Sequence, residues 1–555
     1  MARVAAESGG GLFETRRGRL LLENLTGYLF ITPASLILFV FGIFPVAFAF
    51  FVSLHRWRRT PDAFRGLDQY ISALGDFAYV LFFWLAIGTI IVGVLRLRTL
   101  LRQGNLWALT AVIPGAALTA AVGAFINWFF ILLPLILDIP ARLRGRQITQ
   151  EAFVSEFYLS FGFPEPASAG STFLGLFMVG LVMTLAWLWL MRRFQPIRWL
   201  IIAWTGGIAL MGGGWGLLLT LSEIDLAITA ALEDGVSLPL WTQIVMIGAG
   251  VALVGLALWL WQRTLHHQEA GNRAFLLRLL AVSLLVVGAV ALIRELPAAF
   301  ADADRDVLRA FNVTLMYSAF SVPLQIGLGL LLAVLLFQNL RGKSLFRVIF
   351  FLPYVTPFVA TSIVFSLLFS HNPSSPVNQL IRAFGIDPQN WLRESRGIFT
   401  LIFGQGVPDT LSGPGLALMV IILYNIWIYA GYSAVIFLAG LGGIEHDLYE
   451  AARIDGANSW HQFRFITLPL LSPTTFFLLL VSTIGTFQAF TQIFLMRKPG
   501  GYQAVDTINI VIFNEIRRDS PNFGYGSALA FVLFGVILIL TVIQNRFAGR
   551  RVFYG

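Results

Sequence analysis

Long apolar runs recur along the whole chain and constrain its fold more than any other feature. They are roughly 18 to 25 residues long, and a helix needs about 20 apolar residues to cross a bilayer. The strands of a membrane barrel would instead appear as segments of about 10 alternating residues. Only 12% of the 555 residues are charged, which leaves too little polar surface for a soluble protein of this size. The sequence therefore predicts an all-α polytopic membrane protein.

Counting the apolar runs predicts about twelve transmembrane helices. The first run lacks a small-residue cleavage site, so we interpret it as a retained helix and not as a signal peptide. The expected spans are Leu25–Leu54, Tyr79–Leu95, Leu106–Leu137, Phe173–Met191, Trp199–Leu221, Leu240–Trp261, Phe275–Ile293, Phe311–Phe337, Leu345–Phe369, Leu416–Leu441, Leu470–Met496 and Tyr525–Ile543.

The positive charge of the chain is concentrated at the ends of these runs. The formal net charge is +9, but short arginine clusters at helix ends orient membrane helices and do not indicate nucleic-acid binding. With the amino terminus in the cytoplasm, most clusters fall inside and the acidic loop Ser222–Pro239 falls outside. The arginines within 56–65 and within 142–146 fit this orientation badly. The second group follows the overlong run Leu106–Leu137, where a kinked or partly re-entrant helix is an alternative.

A polar stretch of about thirty residues, 444–473, separates two of the most apolar runs. Glu445–Arg453 contains good helix formers, Gly456 is suited to end a helix, and Asn458 or Ser459 can cap a second helix that runs to Leu468. We expect two short helices joined by a sharp turn, with Pro469 beginning the next span. In the first helix, Leu448 and Ala452 share a face and Ala451 keeps the helix slim, while Glu450 and Arg453 are spaced to pair. An ordinary solvated loop is the alternative.

These residues resemble the EAA loop of ATP-binding-cassette importer permeases. The matching elements are Glu450-Ala451-Ala452, Asp455-Gly456-Ala457 and Thr467-Leu468-Pro469, within a loop at 442–470. In that family the loop docks into a cleft of the ATPase subunit and transmits nucleotide-driven closure to the membrane helices. The resemblance therefore implies an ATPase-coupling role for Leu448, Glu450, Ala451, Ala452, Asp455, Gly456 and Ala457.

The resemblance extends from about Asp306 to the end and is closest to the carbohydrate-uptake, MalF-type permeases of the type I importers. The segments that show this resemblance are FNVTL at 311–315, RGKSLFRVIFFLPYVTP at 341–357, the Asn425-Ile426-Trp427 element and FGYGSALA at 523–530. The chain departs from the family after Met496, where Gly500-Gly501-Tyr502 replaces the common Gly-Gly-Pro in a loop that faces the binding protein.

Polar and aromatic residues at membrane depth are candidates for a sugar site, because sugars need stacking surfaces and hydrogen-bond partners. An interhelical hydrogen bond is the alternative role for each. The resemblance matches Tyr354, Asn425 and Tyr432 to sugar-contacting positions of the family, whereas Phe358, Tyr429, Gly485, Thr486 and Ala489 differ from the maltose permease. The candidates are Tyr354, Asn425, Tyr429, Tyr432, Thr486, Gln488 and Gln492.

The sequence contains no motif for ATP hydrolysis or other catalysis. Gly342-Lys343-Ser344 resembles the end of a phosphate-binding loop, but Phe337 stands where the first glycine is needed and an apolar helix precedes it. No metal-ligand spacing is present either. We therefore expect no catalytic residue, no metal and no cofactor bound by this chain, with ATP and Mg²⁺ used by a partner ATPase.

The family pattern is interrupted in its first part. Residues 1–76 hold the tail, the first helix and an external segment, FRGLDQYISALGD, that in the family runs directly into the next core helix. Here that helix begins near Phe311. We interpret 77–305 as an inserted bundle of about six helices and 306–555 as the permease core.

The leading hypothesis is a multi-pass permease subunit of a carbohydrate importer in a prokaryotic inner membrane, with the amino terminus and the EAA loop in the cytoplasm. Its expected partners are a second permease subunit, two ATPase subunits, an external sugar-binding protein and membrane lipid, and no nucleic acid. Maltose-like di- or oligosaccharides are the expected substrates, and another sugar or glycerol phosphate is the alternative. A membrane-embedded enzyme or assembly factor built on the permease core is a further alternative.

Overall fold

The chain is almost entirely helical. Its structure, a computed structural model, describes residues 16–58, 61–102, 106–144, 149–194, 196–266, 272–338, 341–404, 406–408 and 411–549. Among these residues the only sheet is a two-stranded antiparallel hairpin, β1 (His55–Trp57) and β2 (Pro61–Phe64), which follows the first membrane helix.

The helices up to residue 299 include the spans of the predicted insertion. They are α1 (Arg16–Leu38), α2 (Phe44–Ser53), α3 (Asp68–Leu74), α4 (Phe77–Leu101), α5 (Leu106–Leu109), α6 (Val112–Leu137), α7 (Ile139–Arg142), α8 (Gln150–Gly162), α9 (Pro164–Leu190), α10 (Pro196–Glu233), α11 (Leu240–His266) and α12 (Asn272–Ala299). A π turn, Phe39–Ile43, joins α1 to α2.

The helices from residue 305 onward and the turns between them carry every candidate site residue. They are α13 (Arg305–Phe337), α14 (Lys343–Val355), α15 (Phe358–Leu368), α16 (Pro376–Ala383), α17 (Ile398–Phe403), α18 (Leu416–Gly442), α19 (His446–Ile454), α20 (Ser459–Gln462), α21 (Leu468–Leu470), α22 (Ser472–Phe487), α23 (Thr491–Met496), α24 (Tyr502–Val505), α25 (Ile508–Arg517) and α26 (Phe523–Phe547). A 3₁₀ turn, Trp391–Arg393, precedes α17, and a π turn, Phe463–Thr467, joins α20 to α21.

The number of membrane helices agrees with the prediction. Ten helical segments of the described chain are long and apolar enough to cross a membrane, and there are up to twelve if each of two bent pairs forms one span. The expected class, an all-α polytopic membrane protein with about twelve spans, is confirmed.

The helix α18 forms the centre of the carboxy-terminal part. In its most apolar stretch 61% of the residues are buried, against 11–28% in the spans formed by α4 to α12, whose exposed apolar faces suit contact with lipid. Small residues allow α13 and α18 to approach closely, because a Cβ at Gly329 would lie only 2.5 Å from the Cβ of Ser433. Close backbone contact of this kind is a common means of helix association in membranes.

The helices between residues 77 and 299 pack mainly as pairs, α4 with α10, α6 with α9 and α11 with α12. A ring contact joins the two ends of this region, where Phe77 at the start of α4 stacks on Phe300, just after α12, with a centroid distance of 4.5 Å. Just beyond it, Asp304, the N-cap of α13, accepts a hydrogen bond of 2.8 Å from the Tyr525 hydroxyl of α26. The division into an insertion and a core remains a prediction.

One expectation about residues 77–305 was wrong. The acidic loop expected at Ser222–Pro239 is mostly helix, because α10 continues to Glu233 without an interrupting Gly or Pro and buries Ile224. The span expected at Leu106–Leu137 is present as a single candidate span, Trp107–Arg142, and Pro114 is tolerated because it lies in the first turn of α6. The sequence reading also missed α8, whose N-cap Thr149 accepts a hydrogen bond from the Ala152 amide.

Two expected spans are not straight. The run at 345–369 is divided into α14 and α15, which are bent by 94°, and the helices Ser459–Leu470 and Ser472–Phe487 meet at 60°. The run expected to continue to Met496 also breaks after Phe487 and resumes at Thr491. Uniform hydropathy conceals such breaks.

Candidate functional site

Prolines create the bend between α14 and α15. Pro353 lies within α14, and Pro357 removes a backbone donor at the junction. The residue before a proline is driven out of the helical region, and Thr356 accordingly has φ −73° and ψ 139°. The LPYVTP sequence therefore ends α14 just after Tyr354 and turns the chain beside α18.

A close backbone approach holds this bend against α18. A Cβ on Gly431 would lie 1.8 Å from the carbonyl oxygen of Phe350, so only glycine fits there. Sequence reasoning missed Gly431. Its position between two tyrosines, Tyr429 and Tyr432, was the available signal.

Four aromatic side chains meet at this crossing, and we call Tyr354, Phe358, Tyr429 and Tyr432 the tyrosine cluster. Tyr354 stacks on Tyr432 with a centroid distance of 4.7 Å and meets the edge of Tyr429 at 5.8 Å. Phe358 stacks on Tyr429 at 6.4 Å. All four are half-buried, so they retain accessible ring surface. The structure thus brings together three of the predicted sugar-site residues.

Asn425 lies deeper and is fully engaged by the protein. It is 2% exposed, its Oδ1 accepts a hydrogen bond of 2.8 Å from the Tyr317 hydroxyl, and its Nδ2 donates to Gln325 Oε1 at 2.8 Å. Gln492 Nε2 donates to the same Tyr317 hydroxyl at 3.4 Å. In this conformation both ends of the Asn425 amide are occupied. Tyr317 and Gln325 were not predicted, although a glutamine at membrane depth was a visible signal.

Thr486 and Gln488 lie at the end of α22, where the helix breaks. Thr486 is buried, with its hydroxyl 2.8 Å from Ser318 Oγ, whereas Gln488 is exposed. Asn509 stabilises the break, because its Nδ2 donates to the carbonyl oxygens of Phe487 at 2.8 Å and Ala489 at 3.2 Å. Of these two predicted residues, only Gln488 presents its side chain to an accessible surface.

The EAA segment, residues 442–470, has the expected two helices and turn. The first helix is α19, Gly456 follows it with φ +83°, and the Asn458 side chain accepts a hydrogen bond of 2.9 Å from the His461 amide. A positive φ of this size favours glycine, which explains its position after α19. The second helix differs from the expectation, since it passes through the π turn and Pro469 and ends at Leu470, with the bend just beyond.

A hydrogen bond missed by sequence reasoning joins α19 to the following span. The hydroxyl of Tyr449 lies 2.9 Å from Oγ1 of Thr467, which is buried immediately before α21. The expected Glu450–Arg453 pair is absent, because Glu450 Oε1 instead lies 3.2 Å from His446 Nδ1. That carboxylate thus interacts with the preceding turn of the same helix.

Several large apolar side chains of the EAA segment are exposed among its charged and polar residues. Leu448 is 43% exposed, Ile454 86% and Trp460 66%. Ala452 and Ala457 are half-buried, while Ala451, Asp455 and Gly456 are exposed. Large hydrophobic side chains grouped outside a membrane span are typical of a surface that binds another protein.

The loop after Met496 has a cation–π contact where the family pattern has proline. Tyr502 occupies the first position of α24, a position that suits proline, and the Arg497 guanidinium lies 4.6 Å from its ring centroid. Arg497 Nη1 also lies 3.2 Å from Asp506 Oδ1. Burial raises the pKa of Asp506, and the neighbouring Arg497 opposes that shift. Where the family pattern has a proline that would restrict the backbone, this loop instead has side-chain contacts of Arg497 with Tyr502 and Asp506.

Comparison with known proteins identifies the family. Residues 325–553 match the model described as binding-protein-dependent transport system inner membrane component. The lactose transport system permease protein LacF of Rhizobium radiobacter is 33% identical over 248 residues, 44% of this chain and 76% of the relative. The trehalose/maltose transport system permease protein MalF of Thermococcus litoralis is 30% identical over 231 residues, 42% of this chain and 71% of the relative.

A further relative and a solved structure are also similar to parts of this chain. The sn-glycerol-3-phosphate transport system permease protein UgpA of Agrobacterium fabrum is 32% identical over 255 residues, 45% of this chain and 79% of the relative. A crystal structure of a bacterial alginate ABC transporter aligns with 44% of this chain and 80% of that chain, at 23% identity and a TM-score of 0.38.

The helical fold, the family model and the permease relatives define a membrane-spanning component of a binding-protein-dependent transporter. The chain belongs to the binding-protein-dependent transport system inner membrane component family. It is a multi-pass inner membrane permease subunit, the transmembrane component of its transporter and not the catalytic one.

Proposed function

We propose that this permease carries neutral carbohydrate, and in particular maltodextrin-like di- or oligosaccharides. The observation that carries the proposal is the tyrosine cluster, which offers half-buried ring faces of the kind that stack on sugars. The relatives LacF and MalF, which are named for sugars, support the same class. Tyr354, Tyr429 and Tyr432 would contact the sugar ring, and Gln488 would hydrogen-bond its hydroxyls.

Glycerol phosphate is the second candidate, because UgpA is also a relative. A phosphate at membrane depth needs a cationic partner, since an unpaired charge is costly there. Neither 416–442 nor 472–496, which contain α18, α22 and α23, includes an arginine or lysine, and the basic residues of α14, Lys343 and Arg347, lie seven residues or more before Tyr354. No arginine or lysine thus lies within six residues of a cluster ring along the chain, which favours an uncharged substrate.

Asn425 and Thr486 are proposed as sugar contacts only in another state of the transport cycle. In the described conformation their side chains are buried and occupied by other protein groups. Exposing Asn425 would require Tyr317 and Gln325 to release it. The tyrosine cluster needs no such rearrangement, so it is the first target for mutation.

The sugar site is tested by uptake measurements on the assembled transporter. Tyr354→Ala removes the stacked ring, and we expect KM for sugar to rise roughly 2- to 10-fold, the effect of losing one aromatic contact. Tyr354→Phe keeps the ring and should remain close to wild type. Tyr28→Ala, at an exposed tyrosine of α1, is the matched control. An unchanged KM in Tyr354→Ala would contradict the site.

We further propose that the EAA segment faces the cytoplasm and docks into an ATPase subunit. The exposed Leu448 and Ala451 and the half-buried Ala452 would enter the partner, with Glu450, Asp455, Gly456 and Ala457 shaping the turn. Tyr449 and Thr467 would pass movement of α19 directly to α21 and α22. ATP and Mg²⁺ would be held by that partner.

The proposed assembly contains a second permease subunit, two ATPase subunits and an external sugar-binding protein. The chain has no cysteine, so single-cysteine variants can test both the orientation and the docking without background labelling. In Leu448→Cys, we expect a membrane-impermeant maleimide to label inverted vesicles but not intact cells. Ala452→Cys should cross-link to the ATPase in assembled complexes. Labelling of Leu448→Cys in intact cells would contradict the orientation.

A further inference from the structure

A cavity with two arginines lies where the end of α4 meets the start of α10, far along the chain from the tyrosine cluster and the EAA segment. Its volume is about 700 Å³, and Arg96 and Arg198 both line it. Its remaining walls are apolar. They include Phe194, Pro196, Ile197 and Ile201.

The charge around this cavity is uncompensated. Residues 77–102 and 166–222, which include both sides of the cavity, contain six arginines and no aspartate or glutamate. Within the described residues, no carboxylate forms an ion pair with Arg96 or Arg198. Both guanidinium groups are exposed, so they are available to an anion.

The neighbouring aromatic residues indicate the depth of the cavity in the membrane. Trp189, at the end of α9, is 67% exposed, and the Arg192 guanidinium lies 5.5 Å from its ring centroid. Exposed tryptophan beside arginine at a helix end is typical of the level of lipid headgroups. Trp199, by contrast, is buried against Leu100 and Met191, which fixes the start of α10 next to α4.

We propose that this cavity binds an anionic glycerophospholipid, with its phosphate between Arg96 and Arg198 and an acyl chain along Ile197 and Ile201. The two isoleucines are 64% and 52% exposed, so the apolar wall continues outward from the arginines. A soluble anion would use the arginines but would leave that wall unoccupied. Basic pockets between membrane helices are suited to lipid headgroups for this reason.

The test is native mass spectrometry of the full chain in detergent with added lipid. The wild type should retain dioleoyl phosphatidylglycerol in preference to dioleoyl phosphatidylcholine. Each basic residue near a headgroup contributes about 1 kcal/mol to the binding free energy, which is about fivefold in affinity. Removing two of them in Arg96→Gln/Arg198→Gln should therefore weaken lipid affinity about 30-fold. Arg96→Lys/Arg198→Lys keeps the charge and should retain the lipid.

Arg263→Gln/Arg278→Gln is the matched control, since it removes two exposed arginines from α11 and α12. We expect that control to bind phosphatidylglycerol like the wild type. Equal loss in both Gln pairs, no loss in the Arg96 and Arg198 pair, or equal retention of both lipids would overturn the proposal. Displacement of the lipid by millimolar inorganic phosphate would also overturn it and would indicate a soluble-anion site.

Discussion

Replacing Gly456 tests whether the turn after α19 must keep its shape. The residue has φ +83°, and no heavy atom lies within 4 Å of a Cβ built there. A new side chain would therefore meet no obstacle, and its cost would come from the backbone alone. A left-handed conformation costs roughly 1–2 kcal/mol in an ordinary L-residue, and more in a β-branched one. Such a cost lowers the population of the native turn about 5- to 30-fold.

We expect coupled transport to follow that population. In proteoliposomes containing the assembled transporter, Gly456→Ala should lower ATP-driven uptake about 5- to 30-fold and Gly456→Val should lower it more, because the turn then rarely presents α19 in its docking geometry. Gly456→Asn should lie near wild type, since asparagine adopts this conformation most easily after glycine. Assembly is checked by co-purification of the ATPase from detergent.

Two outcomes would refute this reasoning about Gly456. Normal uptake by a fully assembled Gly456→Val transporter would mean that the turn does not need a positive φ. If Gly456→Asn were as defective as Gly456→Val, the bulk of the side chain at the docking surface would be responsible, not the backbone.

Two further predictions concern stability. Asn425→Leu leaves the Tyr317 hydroxyl and the Gln325 amide without their partner, which should lower the free energy of unfolding by about 1–3 kcal/mol. Adding Gln325→Leu should recover part of that loss, as measured by thermal unfolding. Loss of uptake without loss of stability would contradict this structural role. Hydrogen bonds from Arg396 lower the pKa of Glu394 from its usual 4.5, so their stabilisation is present above pH 4.5 and is lost as the pH falls through the lower native value. Limited proteolysis of this loop should increase over that range in wild type, and an equal increase in Glu394→Gln would contradict the assignment.

The local chemistry of the EAA segment could be predicted closely from its sequence. A glycine after a helix and an asparagine before the next one have direct conformational causes, so the turn at Gly456 and the Asn458 cap were both expected. The Tyr449–Thr467 bond could not be predicted. It joins two residues eighteen positions apart across a turn, and their distance depends on how the two helices cross.

Hydropathy predicted how many spans there are but not where they break. The bend at Pro357 had a readable signal, whereas the break after Phe487 depends on Asn509, which is distant in sequence. Asn425 shows the same limit. A polar residue at membrane depth signals an important position, but only its neighbours in space distinguish a hydrogen-bonded helix contact from a substrate contact.

Uptake by the reconstituted transporter tests the central claim most directly. The chain would be assembled in proteoliposomes with its partner permease and ATPases, and radiolabelled maltodextrin, lactose and glycerol 3-phosphate would be offered with and without ATP and the external binding protein. We predict accumulation of a neutral di- or oligosaccharide that requires both ATP and the binding protein, with no accumulation of glycerol 3-phosphate. Uptake of glycerol 3-phosphate alone, or sugar uptake that needs neither ATP nor the binding protein, would contradict the account.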